Sequence, residues 1–247
     1  MDAGGNEKMR NGKDVQEFYN KYPFPNDKVQ SVESLERHSW ILKVLKEPIS
    51  PESTILDVGC GTGEMSIFLA NRFESIRIKV IGADFTPASL EEARNSARRL
   101  QIKNVNFLQL DITKEYLKFS NDDLNHFIFE YIFSIGVLHH IPQVELALKN
   151  IKAMMNNKTL FIASVYNKYL KSTGNAIAQK RANEKYEQSR IMDEAYHPYE
   201  HSYSRKEFRK LLEDNGFKVI NEWRKIPDWI RIIIRKGGMI TFLCQRK

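Results

Sequence analysis

From Thr54 onward, short apolar runs alternate with stretches whose apolar residues recur at helical spacing. Residues 55–58, 78–83, 105–110, 131–135 and 159–165 read as buried strands, and 65–73, 87–100 and 144–155 as helices between them. Thr86 supplies an N-cap and Pro87 a first helical position, the usual opening of a helix. Asn156-Asn157 predicts a turn, because Asn tolerates left-handed backbone. Strands alternating with helices predict a parallel sheet covered on both faces.

The flanks read differently. Residues 14–22 form a short helix capped by Asp14 and ended by Pro23 and Pro25. Val32, Leu35, Trp40, Ile41, Val44 and Leu45 give 31–46 a helical period, closed by Pro48 and Pro51. Residues 166–203, rich in Tyr, Asn, Lys and Gln, read as an insertion with a helix around 176–191. Ser204 and Glu207 make a capping box for a helix to Asn215, with Gly216 as its stop. Segments 217–226 and 239–245 are two further strands.

Composition narrows the class. The 247 residues, 42% apolar and 11% aromatic, can bury one core. That divides the chain into a leader over 1–50 and a domain over 51–247, the insertion included. No apolar run nears the ~20 residues of a membrane span, and the polar first 13 residues lack a secretory signal, so a cytoplasmic protein is expected. Cys60 and Cys244 alone exclude a disulfide scaffold or a Cys-rich zinc module. The formal charge of +7 is uneven: 1–50 are neutral, 51–165 carry −1, 166–203 +1 and 204–247 +7.

Candidate chemistry begins at Asp57-Val-Gly-Cys-Gly-Thr-Gly63, where a strand turns into a helix. Glycines there let a ligand approach the backbone, and the helix start offers amides. A dinucleotide loop needs its third glycine at position 64, which is Glu, and a P-loop needs a following Gly-Lys-Ser/Thr, which is absent. The loop suits a ligand with a cationic amino-acid moiety and no pyrophosphate. Asp84, 21 residues beyond Gly63, ends the second strand, where a carboxylate can accept from ribose hydroxyls. Asp111 ends the third, placed for an adenine amine. Taken singly, Asp84 also suits a turn and Asp111-Ile-Thr a helix cap.

ILDVGCGTG (55–63), VIGADFTPASLEEAR (80–94), VNFLQLDIT (105–113) and YIFSIGVLHHIP (131–142) resemble, in order and spacing, the class I S-adenosylmethionine-dependent methyltransferases. The resemblance implies a doubly wound, mostly parallel seven-stranded Rossmann-like α/β sheet, an N-terminal helical lid and an insertion after the fifth strand. It implies S-adenosyl-L-methionine as cofactor and S-adenosyl-L-homocysteine as product. Gly59, Gly61 and Gly63 would line the methionine part and Asp57 would organise the loop. Asp84 would hold the ribose and Phe85 pack on the adenine. Asp111 and Ile112 would bracket the adenine edge, with Ile135 also lining the cofactor. The family's Pro-Gly-Gly turn before the fifth strand is here Asn156-Asn157-Lys158.

For the acceptor, His139 and His140 follow the fourth strand and Tyr166 the fifth. His139 is the preferred base or acceptor ligand; capping or packing is the alternative for either histidine. The carboxylates that some relatives place near 136–140 for a metal are missing, so no metal is expected. Tyr196 to Tyr203 and the leader's Tyr19, Tyr22 and Phe24 suit a cap and a lid, or simple packing. A small-molecule acceptor at O, N or C is the leading expectation. The alternatives are an RNA or protein acceptor and a non-catalytic cofactor-binding protein. RNA or an anionic membrane surface could meet 204–247, where Arg231 and Arg235 interleave with Ile230, Ile232 and Ile234; a solvated edge strand explains the same pattern.

Overall fold

The computed structural model describes residues 12–25, 29, 31–45, 47–114, 128–168, 199–224 and 238–247. The apolar runs become β1 (Thr54–Val58), β2 (Lys79–Asp84), β3 (Val105–Gln109), β4 (Tyr131–Ile135) and β5 (Leu160–Tyr166), followed by β6 (Phe217–Arg224) and β7 (Met239–Arg246). They join in one sheet, ordered β3-β2-β1-β4-β5-β7-β6. Pairing is parallel from β3 through β5, and β7 runs antiparallel to both β5 and β6.

All five residues of β1 are buried, as a strand covered on both faces requires. Alternation sends Leu56, Ile132, Phe161 and Phe242 to one face, under α4 (Val144–Ala153) and α5 (Arg205–Asp214). Ile55, Val80, Phe133 and Ile162 take the other, under α2 (Glu64–Arg72), α3 (Pro87–Arg99) and a 3-10 helix, Glu33–Lys43.

The local signals hold with three differences. The helix expected over 31–46 is a 3-10 helix: the Ser34 hydroxyl donates to the Ser31 carbonyl at 2.6 Å, a local bond that competes with the α-helical ladder. Helix α1 (Gly12–Lys21) starts before Asp14, which therefore lies in the first turn instead of at the cap, still at the positive end of the helix. The Asn156 turn closes without left-handed backbone. Its Oδ1 accepts from the amides of Lys158 at 2.7 Å and Thr159 at 3.0 Å, so the side chain makes the turn. The Ser204–Glu207 capping box forms in both directions, and Gly216 takes φ 82° after α5.

The leader is fastened to distant elements. Trp40 stacks on Trp223 of β6 at 5.0 Å and 12°, and Asn221 Nδ2 donates to the Val44 carbonyl at 3.2 Å. The two ends of the insertion meet, Tyr203 N donating to Tyr166 O at 3.0 Å and Lys168 N to Tyr203 O at 2.9 Å. The helix expected at 176–191, residues 196–198 and the basic run around 229–236 lie outside the described residues. Among the described residues no helix is long and apolar enough to cross a membrane.

Strand order reverses between β1 and β4. The loops leaving their carboxyl ends, 59–63 and 136–140, diverge there and open the crevice in which sheets of this kind take ligands.

Candidate functional site

Asp57 is the fourth residue of β1, and its Oδ2 accepts from the Ser66 hydroxyl at 2.6 Å, joining the strand to the first turn of α2. Between them Gly59, Gly61 and Gly63 take φ of 75°, 55° and 84°. The Ala83 carbonyl receives the amides of Gly59 at 2.7 Å and Cys60 at 3.0 Å, which pins the loop to the end of β2. All three are required by their surroundings. A side chain at Gly59 would strike the Val137 methyls, one at Gly61 the Phe24 carbonyl of the leader, and one at Gly63 the Ala93 methyl and the Phe107 ring.

Asp84 lies under this loop. Its Oδ2 accepts from Gly61 N at 3.0 Å and its Oδ1 from Thr86 N at 2.8 Å. The neighbouring Phe85 carbonyl receives two side-chain amides, Gln16 of α1 at 2.8 Å and Gln109 of β3 at 3.1 Å. Burial pushes the Asp57 carboxyl up to about 6, against the Ser66 bond and with the Asp84 charge adding to the rise. Burial likewise raises Asp84, opposed by the amides of Thr86 and Gly61. Two desolvated carboxylates beside one crevice favour a cation there. With the glycine loop, Asp57 in β1 and Asp84 at the end of β2 fit the sulfonium nucleoside that the resemblance implies.

Asp111 closes a local turn: its Oδ1 accepts from Thr113 N at 3.0 Å and Thr113 Oγ1 at 2.6 Å, and Lys114 N donates to its carbonyl at 3.2 Å. Ile112 is buried in the core beside α4, and its carbonyl receives Asn150 Nδ2 at 2.7 Å. Ile135 is half-buried at the end of β4 and packs against the opposite core face.

The acceptor candidates converge. The rings of His139 and Tyr166 lie 4.0 Å apart, those of His139 and His140 4.1 Å, and those of His140 and Tyr166 5.9 Å. Tyr19 of α1 approaches His140 edge-on at 6.3 Å, so the leader reaches this cluster too. Both histidines are buried, in a short 3-10 turn, Leu138–His140. The end of the insertion holds that turn: His201 N donates to the His139 carbonyl at 2.8 Å, and His140 Nδ1 lies 3.2 Å from the Tyr199 carbonyl. A carbonyl only accepts, so Nδ1 carries the hydrogen, and the neutral ring has its lone pair on Nε2.

Sequence reasoning overlooks the Tyr199 carbonyl, Gln16, Gln109 and Thr62. A backbone carbonyl carries no residue-type signal, and the two glutamines act through a distant main-chain oxygen. Thr62 and Gln109 stand inside the quoted segments 55–63 and 105–113. Among the described residues no three His, Cys, Asp or Glu side chains group as metal ligands.

A family model described as a methyltransferase domain matches residues 49–216. A carboxy-S-adenosyl-L-methionine synthase of Nautilia profundicola is 27% identical over 204 residues, 76% of this chain and 81% of that protein. The (S)-tetrahydroprotoberberine N-methyltransferase of Eschscholzia californica is 22% identical over 134 residues, 54% of this chain. The match spans 35% of that relative's length. Among solved structures, a SAM-dependent methyltransferase from Anabaena variabilis superposes with a TM-score of 0.68 at 17% identity, covering 95% of this chain and 94% of its own.

Proposed function

The chain belongs to the class I S-adenosylmethionine-dependent methyltransferases, and from that premise we propose that it methylates a small molecule at an O–H or N–H that His140 deprotonates. The observation that carries this reading is the convergence of His140 with His139, Tyr166 and Tyr19 at the end of the fourth strand, the ring oriented through Nδ1 by the Tyr199 carbonyl at 3.2 Å.

The cofactor, when bound, supplies a methyl group on a positively charged sulfur. Gly59, Gly61 and Gly63 with Asp57 would hold its amino-acid end, Asp84 and Phe85 the nucleoside, and Asp111, Ile112 and Ile135 the adenine side. Tyr19, His139 and Tyr166 form a wall of rings that orients a flat or amine-bearing acceptor and excludes water. His140 Nε2 would take up the proton of the acceptor atom, leaving that atom's electron pair for the incoming methyl group. His139, the base expected from sequence, takes the supporting place in this reading, packed between His140 and Tyr166. Similarity to an N-methyltransferase favours a nitrogen acceptor.

The test is transfer of labelled methyl from S-adenosylmethionine into separate small-molecule, RNA and protein fractions, read by mass. Label is expected in small molecules. His140→Gln should lower turnover by roughly 10²–10⁴-fold with cofactor binding retained. Label confined to RNA or protein, or wild-type turnover by that variant, sinks the proposal. Cofactor recovered with an added carboxyl group would instead align the chain with the synthase it resembles over most of its length.

A further inference from the structure

The surroundings of the acceptor cluster favour one sign of charge. Ring faces make its wall: Tyr19 lies 6.3 Å from His140, Tyr166 5.9 Å from it, and His139 4.1 Å from it. An aromatic face attracts a cation, most strongly where water is excluded, and both histidines are buried. Carboxylates add to that field. Glu200 is half-buried and lies one residue from each contact that clamps the turn, His201 N to the His139 carbonyl at 2.8 Å and the Tyr199 carbonyl to His140 Nδ1 at 3.2 Å. The amide of Tyr203 donates to the Tyr166 carbonyl, and its phenol is pushed up by burial first, then by Tyr199, Glu145 and Glu207. Lys168, two residues beyond Tyr166, is turned away to Glu207 at 3.3 Å, and Arg205 pairs with Glu222.

The base sets a second condition. Taking a proton from a phenol or alcohol would create two charges in this buried place, an anion and an imidazolium. Taking it from an ammonium group creates none. The N–H proton passes to His140 Nε2, and the N–H bonding pair stays on nitrogen as the lone pair that receives the methyl. One positive charge moves from substrate to ring. Burial lowers the pKa of an ammonium toward that of imidazole and raises that of a phenol away from it. The imidazolium keeps its Nδ1–H on the Tyr199 carbonyl, a bond that strengthens with the charge.

We propose that the acceptor is an amine that enters as its ammonium cation, is held against the rings of Tyr19 and Tyr166 with Glu200 as the nearby counter-charge, and gives its proton to His140. The inference rests on the reading of His140 as the base and narrows the acceptor from O–H or N–H to a protonated amine. The same surroundings disfavour an acceptor with a carboxylate or phosphate beside the reacting atom.

The experiment uses the full chain saturated with S-adenosylhomocysteine and two probes of one shape, phenethyltrimethylammonium and the neutral hydrocarbon in which carbon replaces its nitrogen. Ligand-observed NMR titration should show the cation bound about 3- to 30-fold more tightly. Tyr166→Leu should bring that ratio close to one, and Tyr166→Phe should keep it. Glu200→Gln should weaken the cation about 2- to 5-fold at low salt and leave the neutral probe unchanged, which a loss of packing would not do. In the labelled-methyl experiment the product should carry its methyl on nitrogen. A cation bound no more tightly than the neutral probe, or a ratio undiminished in both Tyr166→Leu and Glu200→Gln, overturns the proposal. An O-methylated product formed only with His140 intact also overturns it but leaves the base standing. An N-methylated product formed equally by His140→Gln removes the base reading itself, and this proposal with it.

Discussion

Asp57 is a buried carboxylate that weakens the fold at neutral pH. Its carboxyl is pushed up to about 6, chiefly by burial, above the value near 4 that it has in an unfolded chain. Because the folded value is the higher one, the proton binds more tightly to the native state. Asp57 therefore adds stability at low pH, and this contribution is lost as pH rises from about 4 through about 6. Asp57→Asn keeps an oxygen for the Ser66 hydroxyl and removes the charge. At pH 8 it should stabilise the cofactor-free protein by roughly 1–3 kcal/mol, the worth of about two pKa units less some hydrogen-bond quality. Denaturant melts across pH check this, the gap closing below pH 5. The same variant should bind S-adenosylmethionine more weakly, because a buried carboxylate is best neutralised by a cation.

At the level of elements, the capping box that opens α5 was readable from four residues and is present atom for atom, Glu207 N donating to Ser204 Oγ at 3.2 Å and Ser204 N to Glu207 Oε2 at 2.7 Å. The Ser204 backbone and hydroxyl bonds hold the Glu207 carboxyl down at about 2. Ser204→Ala should cost about 1 kcal/mol in a urea melt, while Ser204→Asp should retain most of the cap. Strands and helices were legible for the same reason as the cap: each is specified by contiguous residues. Tyr131–Ile135 matches the expected fourth strand residue for residue, and, apart from the 31–46 segment that is a 3-10 helix ending at Lys43, the other predicted strands and helices among the described residues shift by one or two positions. Legibility falls where a bond joins distant main chain to side chain. The Tyr199 carbonyl that orients His140 comes from 59 residues away, and no pattern at either position announces it. The glycine loop was legible as a motif, but the carbonyl that passes over Gly61 belongs to the leader, 37 residues earlier.

Across the whole molecule, residues from nearly every segment meet near the carboxyl ends of the parallel strands. The surplus charge beyond position 204 is partly used within the fold: Arg205 and Arg209 both pair with Glu222, and Lys210 reaches Asp214 at 2.7 Å. The position of β7 has a consequence for synthesis of the chain. It pairs on one side with β5 and on the other with β6, although both precede it in sequence. Until residues 239–246 have left the ribosome, β5 keeps an open edge and the inward side chains Phe161 and Val165 lack Ile240, Phe242 and Cys244 beside them. A nascent chain can therefore order the glycine loop early yet stay sticky until β7 slots between two waiting strands. Ribosome-bound chains stopped before Met239 should be protease-sensitive at β5 and bind chaperones, and chains stopped well past Arg246 should not. In this protein a strand made after both of its neighbours sits between them, so the edge that β5 offers is covered only once residues 239–246 have emerged.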